Sequence, residues 1–595
     1  MINQNNNYLF ITFLKNTDMD NTTTARINEW LNGNYDQQTK DSIQKMQEEN
    51  PAELEDAFYK ELEFGTGGVR GIMGVGTNRM NQYTVGKATQ GFANYLRKKL
   101  GDDALISVVI AYDSRNQSSF FADITAHVFA ANNIFVYLFE SLRPTPELSY
   151  AIRYLRANGG VVCTASHNPK EYNGYKAYWS DGAQLVPPHD AGVMEEVGNI
   201  KSVDEVKWKG NDDQISHIGK EVDTAYIQMA KGLSVHPAQI ALQHDLKIVY
   251  TPIHGTGIQL VPQVLTAYGF TNFSIVKAQE KPDGNFPTVV FPNPEESEAM
   301  KLGLQQAEMM DADILCGTDP DADRVGIGVK DDQGKWILMN GNQTAVLAFS
   351  YMIEARKKSG RSEPNDMVIK TIVTSDMIDK VAEKNNITCY NVLTGFKWIA
   401  ALIKEKEGKE NYIIGGEESF GLMVGDEVRD KDAISAVAIL CEMAAVEKSN
   451  NSSLFSKLID LYLEYGFYLE DLIGITKKGM HGQEEIAAMM RAYRENPPAE
   501  INGSKVVEIL DYQTQMGRNA LTGKEWKLGL PKSNVLQFFL EDGSKISARP
   551  SGTEPKIKFY FSVHTELHNK EEYDTTHAQL KKRIEGIIRS MKLKE

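Results

Sequence analysis

At 595 residues, 42% hydrophobic and 24% charged, the chain is ordinary globular material too long for one core, and a prior of about 150 residues per domain predicts roughly four domains. A net charge of −16 argues against nucleic acid or an anionic membrane as partner, so an anionic substrate would need a local cluster of cations. Four scattered cysteines with no CxxC pair read as free thiols of a reducing cytoplasm, and no apolar run is long enough for a signal or a membrane span.

Residues 1 to 44 read as an N-terminal extension, with Met19 open as an alternative start and Asp18 to Thr24 as a solvated lead-in. Residues 25 to 60 look helical, and Asn50-Pro51-Ala52-Glu53 is a helix start with Asn as cap. Phe64-Gly65-Thr66-Gly67-Gly68-Val69-Arg70-Gly71 lets backbone approach a ligand, but no GK[ST] follows, so it is not a Walker loop. Arg70 there reads equally as an anion contact or a solvated side chain.

A first α/β unit spans 45–223. Its predicted strands are 106–112, running into Asp113-Ser114-Arg115, then 133–140, followed by Arg143-Pro144-Thr145-Pro146, and 159–163. The last runs into Thr164-Ala165-Ser166-His167-Asn168-Pro169, which sets a hydroxyl at the carboxyl end of a strand, where open α/β sheets keep their sites. A Ser/Asn/Pro turn without chemistry also fits that hexapeptide. Lys176 lies ten residues past Ser166 and could fold back over it.

A second α/β unit spans 224–339, with strands at 246–250 and 312–316. The latter runs into Gly317-Thr318-Asp319-Pro320-Asp321-Ala322-Asp323-Arg324. A third, 340–476, has strands at 367–373 and 412–414, the turn Thr394-Gly395-Phe396-Lys397, and Gly415-Gly416-Glu417-Glu418-Ser419-Phe420-Gly421. The remainder, 477–595, reads as α+β: a charged linker around 477–504, a hairpin over 535–549, the loop Arg549 to Pro555, a strand at 556–563 and a closing helix at 571–592. Alternating strand and helix predicts mostly parallel sheets, and each of the three α/β units places a polar signature after a strand.

Asp319, Asp321 and Asp323 repel one another unless a cation sits among them, and hard oxygen ligands suit Mg²⁺ or Mn²⁺. An EF-hand is set aside because Arg324 and Lys330 stand where it needs Gly and Glu. A solvated acidic turn is the plainer reading. If Ser166 carried phosphate, the metal would draw charge from its bridging oxygen. Glu417 and Ser419 are spaced for adjacent sugar hydroxyls, though a turn fits equally. Arg549, Ser551, Gly552 and Thr553 form an anion nest or a plain loop, and Arg429 and Lys431 would add positive charge if the third unit closes over the same cleft.

With these four signatures in this order, the chain resembles the α-D-phosphohexomutase superfamily from about residue 45 to the end. The resemblance implies four domains around one cleft, three alike and α/β, the fourth α+β. It implies phosphate on Ser166, and Mg²⁺ on Asp319, Asp321 and Asp323 with that phosphate. It implies sugar hydroxyls at Glu417 and Ser419, and the distal phosphate at Arg549, Ser551, Gly552 and Thr553. Arg70, Arg324, Lys176 and Lys431 match positions near the reacting groups, and Thr394, Gly395 and Lys397 resemble the turn of a glucomutase. Glu-Glu-Ser in place of Glu-Met-Ser favours glucose phosphate over mannose phosphate and leaves pentose phosphates open. The implied activity is a reversible 1-to-6 phosphate shift on a cytoplasmic hexose phosphate through a hexose 1,6-bisphosphate, with Lys176 first and His167 second for proton handling. A phosphatase or a silent sugar-phosphate sensor are the rivals.

Overall fold

The computed structural model describes residues 19–63, 68–477, 479–551 and 556–594. Phe64 to Gly67 of the glycine-rich segment and Gly552 and Thr553 of the last loop lie outside them, as do the residues before Met19.

The first sheet runs, edge to edge, Gly68–Ile72, Tyr172–Trp179, Gly159–Cys163, Ser107–Tyr112, Phe135–Phe139 and Ile215–Ile218. The last four are parallel neighbours, and the first two run antiparallel. Gly159–Cys163 is buried throughout, because helices cover both faces of the sheet. The second sheet orders Trp336–Met339, Val325–Lys330, Ile314–Thr318, Ile248–Thr251 and Phe273–Ile275; the third orders Thr388–Val392, Asp366–Thr371, Asn411–Glu417 and Gly421–Val424.

The three α/β sheets share one device. A strand parallel to its inner neighbour ends in the polar signature, and the chain returns antiparallel beside it. The return strands are Tyr172–Trp179, Val325–Lys330 and Gly421–Val424. Ser166, the aspartates and Glu417 therefore occupy equivalent ends of three equivalent strands. That is the internal repeat expected from architecture, and it makes the sheets mixed rather than simply parallel.

The fourth sheet is antiparallel and begins with Phe467–Thr476, which pairs over its whole length with Lys556–Thr565. This strand belongs to the fourth unit, so the expected end of the third unit at 476 is too late. The expected linker around 477–504 instead carries the helix Gly479–Glu495, whose Ile486 and Met490 join the core with the closing helix Tyr573–Ser590.

The N-terminal extension is not separate where it is described. Helices Asn21–Asn32, Gln37–Glu49 and Pro51–Phe58 are capped by Asp20, Asp36 and Asn50. Trp30 stacks on Tyr35 at 4.4 Å and meets Phe58 and Tyr83 edge-on. Tyr83 belongs to the helix Gln82–Leu100 of the first unit, and its hydroxyl donates to Asp36 at 2.6 Å. The expected solvated lead-in thus starts a helix with Thr23 buried.

Single backbone bonds tie the units at the signatures. Thr145 N–H donates to Asp321 O, Val325 N–H to Phe420 O, and Ala433 N–H to Ala322 O. Gln537 of the fourth unit donates to Ile372 O of the third.

Candidate active site

Ser166 is 2% exposed and sits in the left-handed region at φ 53°. A side chain there costs about 1–2 kcal/mol relative to ordinary backbone, so something must hold it. Thr164 Oγ accepts from Ser166 N–H at 2.8 Å and donates to Asp113 at 2.6 Å. Beneath the loop, the buried Arg115 guanidinium donates to the carbonyls of Ser166, Asn168, Pro169 and Tyr172, and pairs with Asp113 at 3.3 Å. Gly174 is needed opposite, where a Cβ would strike the carbonyls of Thr164 and Val69.

The hydroxyl so held donates to Asp319 Oδ2 at 2.9 Å and lies 3.1 Å from His167 Nδ1. Asp319 Oδ1 accepts from the N–H groups of Asp323 and Arg324. Thr145 Oγ donates to Asp321 at 2.7 Å. The three aspartates are buried, with one oxygen of each within 4.8 Å of the others. Asp321 Oδ1 and Asp323 Oδ1 have no hydrogen-bond partner among the described residues. Burial, then Asp321 and Asp323, push the Asp319 carboxyl well above its ordinary range. Converging hard oxygens, two of them unpartnered, fit a divalent cation.

Two ammonium groups share the triad. Lys176, opposite Val162 on the return strand, donates to Asp321 at 2.7 Å and to Asp323 at 3.1 Å; Lys431 lies 3.2 Å from Asp323. Burial presses the Lys176 pKa down, but Asp321 and Asp323 outweigh it and hold the pKa above ordinary. His167 has the opposite character: burial, then Arg324 and Arg70, keep its imidazole neutral.

Arg70 donates to Asn168 at 2.9 Å, beside the serine loop, and Arg324 pairs with Glu295 at 2.5 Å. Glu417 ends its strand buried, accepting from Gly395 N–H at 2.8 Å, where φ is 114°. Burial, then Glu418, raise its pKa against the pull of Lys431. Ser419 is partly exposed two residues on, and Thr394 Oγ is buried without a hydrogen-bond partner among the described residues. Burial draws Lys397 down to about 8, with Arg549 adding to the fall and Asp190 opposing it. Arg549 lies in the strand Lys545–Pro550, and Ser551 follows it exposed.

The structure thus gathers Ser166, His167, Lys176, Lys431 and the three aspartates, with Glu417 and Gly395 alongside. Sequence reasoning missed Arg115, Asp113 and Thr145 as parts of the site. Their signal was position alone, since each follows a strand of the first sheet. Arg429 does not join the cleft; its partners are Asp426 and Glu407.

A held serine hydroxyl facing a buried carboxylate triad, where three like sheets meet, suits phosphoryl transfer to and from the serine. Residues 61–204, 224–334 and 340–462 match phosphoglucomutase/phosphomannomutase α/β/α domains I, II and III. A phosphoglucomutase of Staphylococcus epidermidis is 38% identical over 86% of this chain and 92% of its own, and one of Staphylococcus aureus 37% over 89% and 94%. Among solved structures, the Paramecium phosphoglucomutase pp63/parafusin aligns at TM-score 0.67 and 19% identity, over 90% of this chain and 95% of its own. A phosphoglucomutase/phosphomannomutase family protein of Burkholderia thailandensis aligns at 0.62 and 18%, over 90% and 98%. The chain belongs to the phosphoglucomutase/phosphomannomutase family of the α-D-phosphohexomutase superfamily, and it is a mutase, an isomerase.

Proposed function

We propose that the chain interconverts α-D-glucose 1-phosphate and glucose 6-phosphate, with phosphate carried on Ser166 and glucose 1,6-bisphosphate as intermediate. The observation that carries this reading is the 2.9 Å approach of Ser166 Oγ to Asp319 within the buried triad. Relatives named phosphoglucomutase support glucose as the sugar, and so do Glu417-Glu418-Ser419 and the Thr394 to Lys397 turn.

Phospho-Ser166 loses its phosphoryl group as a new P–O bond forms to the sugar hydroxyl. The hydroxyl proton ends on Ser166 Oγ, and neutral His167, 3.1 Å away, is placed to pass it on. Lys176, bonded to Asp321 and Asp323, stands beside the same groups and is placed for proton handling at the attacking hydroxyl. Asp319, Asp321 and Asp323 would hold Mg²⁺, which supplies Lewis-acid withdrawal of charge from phosphate oxygens. The bisphosphate then turns over, and its other phosphate returns to Ser166.

Glu417 and Ser419 read sugar hydroxyls, with Thr394 and Gly395 beside them, and Arg70 and Arg324 face the reacting phosphate. Arg549, Ser551, Gly552 and Thr553 grip the distal phosphate, assisted by Lys397. Four free cysteines accord with a cytoplasmic site of action.

Coupled assays on glucose, mannose and ribose 1-phosphates test the sugar assignment. The expected result is the highest kcat/KM with glucose 1-phosphate; a faster reaction with mannose or ribose overturns it.

A further inference from the structure

Arg429 lines a cavity of about 340 Å³ between the first and third units, separate from the aspartate triad. Arg153 and Arg156, at and just beyond the end of the helix Thr145–Tyr154, enter it from one side. Lys404, on the helix Phe396–Lys406, enters from the other. Arg153, Arg156, Lys404 and Arg429 thus meet Asp181 and Glu407 in its lining, with Asp426 bonded to Arg429 beside them.

Arg429 is not used up by its partners. Arg429 is 1% exposed; its Nε donates to Asp426 O and its Nη2 to Glu407 and Asp426, while Nη1 has no hydrogen-bond partner among the described residues. A buried guanidinium N–H left unbonded is costly, and a guanidinium fork matches phosphate oxygens in pairs. Arg153, on the other side, already donates to the carbonyls of Asp426 and Glu427, which fixes its guanidinium at the cavity wall. Glu407 is 45% exposed and bound to Lys404 at 2.6 Å, so it can swing into solvent when an anion enters.

We propose that this cavity is a second anion site, taking inorganic phosphate or the phosphate group of a sugar phosphate, and that its occupation clamps the first unit to the third. The clamp bears on the catalytic cleft through one short segment. Arg429 N–H donates to Ser149, and Tyr178 and Gln184 donate to Asp430. The next residue, Lys431, reaches Asp323 of the triad. An anion bonded to Arg153 and Arg156 on one side and to Lys404 and Arg429 on the other spans that same joint, so the two sites are coupled.

The test measures binding of inorganic phosphate to the full chain and to a double variant, Arg156→Glu with Lys404→Glu. Both side chains are exposed and touch no catalytic group. The variant should lose one equivalent of bound phosphate, or bind it at least about tenfold more weakly, with unchanged melting temperature and unchanged turnover in phosphate-free buffer. Arg156→Ala alone should give a smaller loss in the same direction, which serves if the double variant folds poorly. Competition by glucose 6-phosphate for that equivalent identifies a sugar phosphate as the occupant; its failure to compete identifies inorganic phosphate. Equal stoichiometry and affinity in parent and variants would overturn the proposal.

Discussion

Ser166 Oγ and Asp319 Oδ2 stand 2.9 Å apart although 153 residues separate them in the chain. Each sits at the end of a strand in its own sheet, and Thr145, at the start of a helix of the first unit, donates both its N–H and its hydroxyl to Asp321. The first unit is thereby tied to the triad loop by one backbone and one side-chain bond beside the serine.

The triad needs a cation to be fully ionised, since Asp319 is pushed well above its ordinary range by burial and by its two neighbours. Chelation of divalent metal should stop turnover, and restored Mg²⁺ should return it. Asp319→Asn should lower kcat by about 10²–10³, the usual effect of removing one electrostatic stabiliser. Steady-state assays after exhaustive chelation check this; an unchanged rate would remove the triad from the chemistry.

Arg115 should prove to be the support of the serine loop. Lysine there offers one point charge in place of a fork and cannot reach four carbonyls. Arg115→Lys should lose roughly 1.5–3 kcal/mol of stability per charged hydrogen bond broken, and kcat should fall more than KM rises. Chemical unfolding beside a kcat and KM determination separates this from simple loss of folded protein.

Alkaline pH should weaken substrate grip before it harms folding. Burial, then Arg549, bring Lys397 down to about 8, with Asp190 opposing. Its charge is therefore present below that pH and lost as pH rises through it. KM for the sugar phosphate should climb above about pH 8, and Lys397→Arg, charged throughout, should flatten the climb. A KM profile flat in the parent would show that Lys397 does not touch the phosphate.

Glu470, on the first strand of the fourth sheet, is raised to about 7 by burial; Asp376 adds to the rise, while Ser375, Lys545 and Ser562 oppose it. A carboxyl raised on folding binds more protons in the native state between its unfolded and folded values. Stability should therefore fall as pH rises from about 4.5 to 7. Glu470→Gln should remove that part of the slope in denaturant melts followed across the interval.

Much of this site was legible because each signature is polar sequence placed after a buried apolar strand. The return strands were harder to see. Val325-Gly326-Ile327-Gly328 is too short and glycine-rich to declare itself as a strand without its partner. The Arg115 clamp was not legible at all, since carbonyls about fifty residues away carry no side-chain signal. The same holds for Phe467–Thr476, whose partner strand begins at Lys556. Composition does not say which sheet a strand will join. The fold-back of Lys176 toward Ser166 was legible from spacing, but its bonds to Asp321 and Asp323 were not, because those residues belong to another unit.

The most direct test asks whether Ser166 carries the phosphate that moves. Enzyme labelled with phosphate should show one phosphate-sized mass increment on the peptide containing Ser166. Mixing with unlabelled glucose 1-phosphate should pass that label to glucose 1,6-bisphosphate within a single turnover. Ser166→Ala should show neither increment nor transfer. A Ser166→Ala variant that keeps full mutase turnover, or label released as free phosphate without appearing in the bisphosphate, would contradict the account.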